Sequence, residues 1–175
     1  MEQSTVIELK LQRVEQLFHT LDPQPFRERD LDRDAEEFIV GWAREIPKGA
    51  LQIRIHLPRA ESESEKSANL AEAIQQYFGL RVKAASDELG DLFRIGKYTL
   101  TIGLGVLAVC TAIGSLLGAV VPSPAGRFLN EGLMILGWVA NWRPIEIYLY
   151  EWLPIIRRRR LYQRLANANV EVRFA

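Results

Sequence analysis

The chain has 175 residues, of which 48% are hydrophobic and 25% are charged, and its formal net charge at pH 7 is zero. This neutral total hides a division, because residues 1–97 carry a net charge of −4 and residues 98–175 a net charge of +4. Cys110 is the only cysteine, which excludes an intrachain disulfide and a metal site built from several cysteines. A chain of this length makes about one domain.

The N-terminal segment has neither an apolar core nor a cleavage site, so it is not a secretory signal peptide. Val6–Leu11 alternates apolar and polar residues, which predicts a half-buried strand. An apolar stripe from Val14 to Leu21 predicts a short helix that ends at a turn formed by residues 21–26. We expect everything before residue 98 to stay in the cytoplasm, where it is made.

The following stretch predicts a helix, a strand and a longer helix. Asp34 and Glu37 have the spacing of a capping box before an apolar stripe. Leu51–Leu57 alternates with period two and predicts the second strand. Residues 61–67 predict a solvated loop, and a helix pattern that begins near Glu65 leads directly to the apolar part of the chain.

The most informative feature is a run from Tyr98 to Gly126 that contains no Asp, Glu, Lys, Arg or His. As a helix, residues 98–121 would reach roughly 36 Å, which is enough to cross a hydrocarbon core of about 30 Å. This run therefore predicts the first transmembrane helix. Residues 128–152 predict a second one, although it is less apolar and must continue through Pro144 to be long enough.

Basic residues on both outer flanks predict the orientation of this hairpin. Arg94 and Lys97 precede it, whereas Arg127 is the only basic residue in its connection. The following flank is a basic cluster made of Arg157, Arg158, Arg159 and Arg160. The positive-inside rule places both flanks, and so both termini, on the cytoplasmic side of the cell inner (plasma) membrane.

The basic cluster also predicts contact with anionic lipid headgroups, worth about 1 kcal/mol for each basic residue. Nucleic acid is the disfavoured alternative, because Tyr162 is the only aromatic residue interleaved with these arginines.

The last residues, Val170–Phe174, alternate again and predict a third short strand. The predicted fold class is α+β, a small cytoplasmic sheet-and-helix domain that a two-helix transmembrane hairpin interrupts. Residues 1–94 would form the cytoplasmic domain and residues 95–156 the hairpin. Residues 157–175 would supply a basic helix and the strand that completes the soluble domain.

Small residues in the first apolar segment predict helix packing. Gly114 and Gly118 form a G-x-x-x-G pair, which lets helices approach closely in lipid. These glycines could contact the chain's own second helix or another copy of the chain. Because two membrane helices alone make only a small bundle, we expect a homo-oligomer.

Four polar residues of the second segment are candidates for a pore or polar membrane site: Glu131, Asn141, Arg143 and Glu146. In one interpretation they are interfacial anchors, with Arg143 paired to Glu146 and Glu131 paired to Arg127. In the other, Glu131 forms a ring of carboxylates at the outer mouth of an oligomeric pore.

No catalytic or nucleotide-binding motif is present, and His19 and His56 lack the spacing of a zinc site. We therefore expect no enzyme activity, no cofactor and no metal. The leading hypothesis is a self-assembling scaffold, adaptor or regulatory membrane protein, with a cytoplasmic protein as an additional partner. The alternative is a small oligomeric ion channel or transporter.

Overall fold

The computed structural model describes residues 6–19, 29–46, 49–61, 65–120 and 123–174. The predicted turn at residues 21–26 lies outside the described residues, as do residues 62–64 of the predicted loop. The chain divides into two compact units, one formed by Met1–Ser86 with Arg157–Ala175 and the other by Asp87–Ile156. We call them the sheet unit and the helical unit.

The fold is mixed helix and sheet. The strands are β1 (Val6–Lys10), β2 (Gln52–Leu57) and β3 (Asn169–Phe174). The helices are α1 (Arg33–Glu45), α2 (Glu65–Ala68), α3 (Leu70–Val120), α4 (Pro124–Val139), α5 (Trp142–Glu146) and α6 (Trp152–Ala166). Shorter turns are the 3-10 turns Val14–Leu17 and Arg59–Glu61 and the π-helical turn Ile147–Glu151.

The three predicted strands are confirmed, and they form one sheet in the order β1-β2-β3. Both pairings are parallel, with Ile53 of β2 in register with Ile7 of β1 and with Val170 of β3. Parallel neighbours require long crossover connections. Between β2 and β3 that connection contains the whole apolar part of the chain.

One face of the sheet builds the core of the sheet unit, because alternate residues of each strand point to the same side. Ile53 and Ile55 of the central strand are fully buried there. They share the core with buried residues of the helices, namely Ile39 and Ala43 of α1, Leu70, Ile74 and Phe78 of α3, and Leu161 and Leu165 of α6.

The predicted helix from Val14 to Leu21 was wrong in type and length. Only Val14–Leu17 is helical, and it is a single 3-10 turn. Phe18 is already extended and bridges Leu31, and backbone N–H groups of His19 and Asp32 donate to the carbonyls of Asp30 and Leu17. These hydrogen bonds between residues distant in sequence replace the backbone hydrogen bonds that a longer helix would need.

The second apolar segment is helical but is not one regular helix. Its first part, α4, ends at Val139, and a turn at Ala140 and Asn141 separates it from α5. Pro144 lacks the N–H that would bond to the carbonyl of Ala140, so a break at this point follows from the sequence.

Candidate functional site: a glycine and asparagine helix interface

Asn141 joins the two helical segments of the helical unit. Its side chain is only 5% exposed, and Nδ2 donates to the carbonyl of Gly103 on α3 at 3.1 Å and to that of Gly137 on α4 at 2.9 Å. The amide oxygen faces the α-carbon of Gly103, since a methyl group built on that glycine would lie 2.7 Å from Oδ1. The side chain therefore bridges two backbones that lie very close together.

The same antiparallel register continues along both segments. A methyl group on Gly137 would lie 2.8 Å from Cδ1 of Leu107, four residues from the Asn141 contact on each side. A methyl group on Gly114 would collide with Oδ1 of Asn130. The contact of Gly103 with Asn141 and that of Gly114 with Asn130 are eleven residues apart along either segment. Each close approach thus uses a glycine, because a larger residue would hold the backbones apart.

Near the other end of this interface, Gly96 lies against Ile147 and Tyr148. A methyl group on Gly96 would be 3.0 Å from Cγ2 of Ile147. Phe93 stacks on Tyr148, with ring centroids 6.0 Å apart and an interplanar angle of 26°. At this end of the interface, the two segments are therefore held together by packing of aromatic side chains.

The outward side of the helical unit is apolar. Leu116 of α3 is 65% exposed, and Phe128 of α4 is 75% exposed. Further exposed apolar residues of this unit are Ile102, Leu104, Val109, Ile113, Leu129, Ile135, Leu136, Trp138, Val139, Trp142 and Leu149. So many exposed large apolar side chains on one unit are unusual for a protein surrounded by water and mark an interaction with lipid or protein.

One described helix, Leu70–Val120, is long and apolar enough to cross a membrane, and only 17% of its most apolar window is buried. It is a candidate membrane span by length and composition.

Arg143 makes the predicted ion pair and a second one. Nη1 lies 3.4 Å from Oε2 of Glu146, and the guanidinium also pairs with both carboxylate oxygens of Glu151, with Nη2 at 3.2 Å from Oε2. All three side chains are partly exposed. Asn141 is therefore separate from this cluster in its bonding, although the sequence grouped them.

Glu131 is exposed on α4, whereas its neighbour Asn130 faces α3. Within the described part of the chain, Glu131 forms no ion pair with Arg127. Of the two predicted packing glycines, Gly114 lies at the interface with Asn130. Gly118 has no described neighbour within 4 Å of an added methyl group, so its packing stays a prediction for contact with another copy.

The basic cluster lies on α6 and belongs to the sheet unit. Arg157, Arg158 and Arg160 are exposed, and Arg159 is half-buried. Their contact with anionic headgroups stays a prediction.

A polar cluster in the sheet unit was not predicted. Glu36 of α1 accepts hydrogen bonds from the Tyr77 hydroxyl at 2.8 Å and from Nη2 of Arg81 at 2.6 Å. Nε of Arg81 donates to the Tyr77 hydroxyl, and the Tyr162 hydroxyl lies 3.4 Å from Oε1 of Glu36. A cleft of about 650 Å³ beside it is also lined by His19, Asp30, Leu31, Arg33 and Glu37.

Burial raises the pKa of the Tyr77 phenol well above its usual value of 10.0, and the hydrogen bond to Glu36 raises it further. Both effects disfavour the phenolate, the first by removing water and the second by placing a negative charge beside it. The cluster is a bonded connection between α1, α3 and α6. Within the described residues, no group of three or more His, Cys, Asp or Glu side chains is arranged to hold a metal ion.

Comparison of the chain with protein-family models, with curated proteins and with solved structures gives no match.

Most of the helix interface was not predicted from the sequence, although the sequence carries a signal for it. A spacing of seven residues relates Gly96, Gly103 and Cys110 on α3. The same spacing relates Asn130, Gly137 and Pro144 on the second apolar segment. A seven-residue repeat is the signature of two helices packed along one seam. The search for small residues four apart selected Gly118 instead.

Replacing Gly103 with Ala should destabilise the helical unit, because the new methyl group would lie 2.7 Å from Asn141 Oδ1 and 3.0 Å from the Ala140 carbonyl oxygen. We expect the free energy of unfolding to fall by about 1–3 kcal/mol. Gly105→Ala is the matched control, since no described atom lies within 4 Å of its added methyl group. That change should be neutral or stabilising by up to about 1 kcal/mol. Thermal unfolding in detergent micelles, followed by circular dichroism, measures both; equal effects would contradict the interface.

Tyr77→Phe should change how stability depends on alkaline pH. Because the folded protein holds the Tyr77 proton more tightly than the unfolded chain does, the stabilisation is complete below about pH 10 and is lost as pH rises toward the higher folded pKa. The parent should therefore exceed Tyr77→Phe in free energy of unfolding at pH 8, and the difference should shrink above about pH 10. Denaturant unfolding across this range tests it, and a difference independent of pH would refute it.

Proposed function

We propose that this protein is an integral membrane protein in which α3 and the segment from α4 to the π-helical turn form a two-span transmembrane hairpin inserted in a cytoplasmic domain. The observation that supports this most strongly is the pairing of β2 with β3. These strands lie on opposite sides of the apolar segments in the sequence yet belong to one sheet. If α3 crosses the bilayer once, the chain must cross back before β3 can pair.

The returning segment has suitable properties for the second crossing. Residues 124–151 are helical apart from the turn at residues 140–141, and they would reach roughly 42 Å. Their outward surface is apolar, and Asn141 satisfies its donors on two backbone carbonyls rather than on water. An interhelical amide bond of this kind stabilises helix pairs in lipid by about 1 kcal/mol.

Charge supports the inside–inside orientation. Arg94 and Lys97 precede the hairpin, and the basic cluster of α6 follows it, whereas Arg127 alone lies near the connection. The Arg143 cluster with Glu146 and Glu151 would then lie near the inner headgroups, where charged side chains are tolerated. In this arrangement the domain bearing the sheet is cytoplasmic.

We propose that the protein acts as a self-assembling scaffold or adaptor, with the sheet unit as the part that meets other proteins. The helical unit uses its small residues for its own internal interface, and the outward Gly118 and the exposed apolar side chains remain for lipid and for other copies. The proposal assigns no catalytic step to the chain.

Cysteine labelling tests the topology. In a Cys110→Ser background, Ala125→Cys lies at the start of α4 and Gln163→Cys lies on α6, and both positions are exposed. With intact cells whose outer membrane is permeable to the reagent, a membrane-impermeant maleimide should label position 125 and not position 163. Position 163 should become reactive only after the inner membrane is opened. Equal labelling of both positions in intact cells would contradict the hairpin.

A pore is the second candidate, favoured by the position of Glu131. This carboxylate is exposed on the side of α4 that does not face Gly114, with Phe128 and Ile135 as exposed apolar neighbours one turn away. A carboxylate there would face either the outer headgroups or the axis of an oligomer.

Glu131→Gln separates the scaffold from the pore. If Glu131 lines a cation pathway, reconstituted protein should support cation flux into liposomes, and the neutral variant should reduce it by about tenfold or more. Glu37→Gln, at an exposed carboxylate on α1 of the sheet unit, is the matched control for loss of one negative charge. Equal flux for parent and Glu131→Gln, or none for either, would remove Glu131 from any conduction mechanism.

A further inference from the structure

The sheet has a second face, opposite the core, whose side chains are mostly polar and charged. After a row of Val6, Gln52 and Asn169 at the start of the strands, this face carries two adjacent charged rows in the register of the sheet. The first row, which we call the acidic row, is Glu8, Arg54 and Glu171. The second, which we call the basic row, is Lys10, His56 and Arg173.

The acidic row is bonded within the chain. Nη1 of Arg54 lies 2.8 Å from Glu8 and Nε lies 3.2 Å from Glu171, and Gln52 also donates to Glu171 at 3.0 Å. The side chain of Glu8 is nevertheless 58% exposed, so one side of this carboxylate remains open to water.

The basic row has no acidic member. Arg173 reaches back to Glu171 at 2.8 Å, and among the described residues neither Lys10 nor His56 takes part in an ion pair. No carboxylate within this row offsets the positive charges of Lys10 and Arg173, which lie on either side of His56.

The open face is unusual for this type of sheet. Parallel sheets occur almost only where both faces are covered. Here α1, α3 and α6 supply the core on one face, and no described element buries Glu8, Lys10 or Arg173 on the other. Among the described residues, no layer covers this face.

We propose that a second copy of this chain covers the face, stacked so that a two-fold axis runs across the strands between the two rows. This places β1 over β1, with the strands of the two copies running in opposite directions. Glu8 then faces Lys10 of the second copy, and Glu171 faces Arg173 of the second copy. Arg54 faces His56, and symmetry repeats each contact.

The charge pattern selects this arrangement over the other face-to-face two-fold. An axis along the strands would place β1 over β3, with Glu8 opposite Glu171 and Lys10 opposite Arg173. It would also set Arg54 against itself. All of these contacts are repulsive, whereas the axis across the strands sets opposite charges against each other on β1 and β3, and only the Arg54–His56 contacts on β2 bring basic groups together.

This inference rests on the proposed self-assembly and identifies the surface that mediates it. Exposed charge pairs are individually weak and screened by salt. The contact therefore depends on several pairs acting together between copies that the membrane already holds at high local concentration.

Charge reversal on β1 tests the interface. In membranes, a Cys110→Ser, His56→Cys protein is treated with a short bis-maleimide, which can join two position-56 thiols across sheets about 10 Å apart. Glu8→Lys alone sets Lys against Lys, and Lys10→Glu alone sets Glu against Glu. Each should reduce the crosslinked dimer about tenfold. Co-expressing the two variants should restore it, since every reversed residue then faces its opposite in the mixed dimer.

Glu37→Lys is the control, because Glu37 lies in an exposed pair with Arg33 on α1, away from the sheet. It should leave the crosslinking yield unchanged. Resistance of each variant to alkaline extraction from membranes is measured in parallel, so failure of membrane insertion is seen separately from failure of the interface. For inserted variants, a yield insensitive to either single reversal, or one that co-expression does not restore, would overturn the proposal.

Discussion

The pairing of β3 with β2 is the constraint on which the rest of the structure depends. It completes the sheet with a strand that follows all of the apolar sequence. The part of the chain before the apolar segments and the part after them must therefore lie on the same side of any bilayer that these segments enter. A single membrane crossing is incompatible with this connection. In the membrane arrangement that we propose, the return of the chain along α3 follows from three strands in one sheet, whereas the orientation follows from the basic flanks.

Within the helical unit, the chain returns along α3 with the two backbones close together. In the membrane arrangement that we propose, lipid supplies no hydrophobic drive between the helices, so packing and hydrogen bonds hold them together. The glycines at positions 103, 114 and 137 allow the approach, and Asn141 fixes the register because its amide fits between two particular carbonyls. The turn before Pro144 places the Asn141 amide within hydrogen-bonding distance of both helices. The interhelical hydrogen bonds therefore depend on this irregular turn.

Period-two alternation was enough to place all three strands, because a strand with one wet face leaves that pattern in a single short segment. Strand direction could not be predicted in this way, since alternation is the same in parallel and antiparallel sheets. The 3-10 turn at Val14–Leu17 was missed because bonds to residues 30–32, distant in sequence, decide its conformation. The cluster around Glu36 depends on three separate helices, so no local spacing announced it.

The long apolar helix was evident from composition, whereas its contact face was not. Gly114 was selected by four-residue spacing, but Gly103 is recognised only when the seven-residue repeats of both segments are aligned antiparallel. Asn141 lies four residues after Gly137 and outside that repeat, and its partner on α3 could not be predicted. The polar residues Asn141 and Arg143 are near neighbours in sequence and were grouped as one site. The structure assigns them separate bonds, one across the helix interface and one to nearby carboxylates.

The most direct measurement of the central claim is the accessibility of spin labels to oxygen dissolved in lipid and to a water-soluble nickel complex, scanned along residues 98–120 and 128–150 in bilayers. We expect lipid-type accessibility on both segments, with minima at positions 103, 110 and 114 on the first and at 130, 137 and 141 on the second. A second segment that is accessible to nickel throughout, or that lacks these minima, would contradict a membrane-spanning pair of helices.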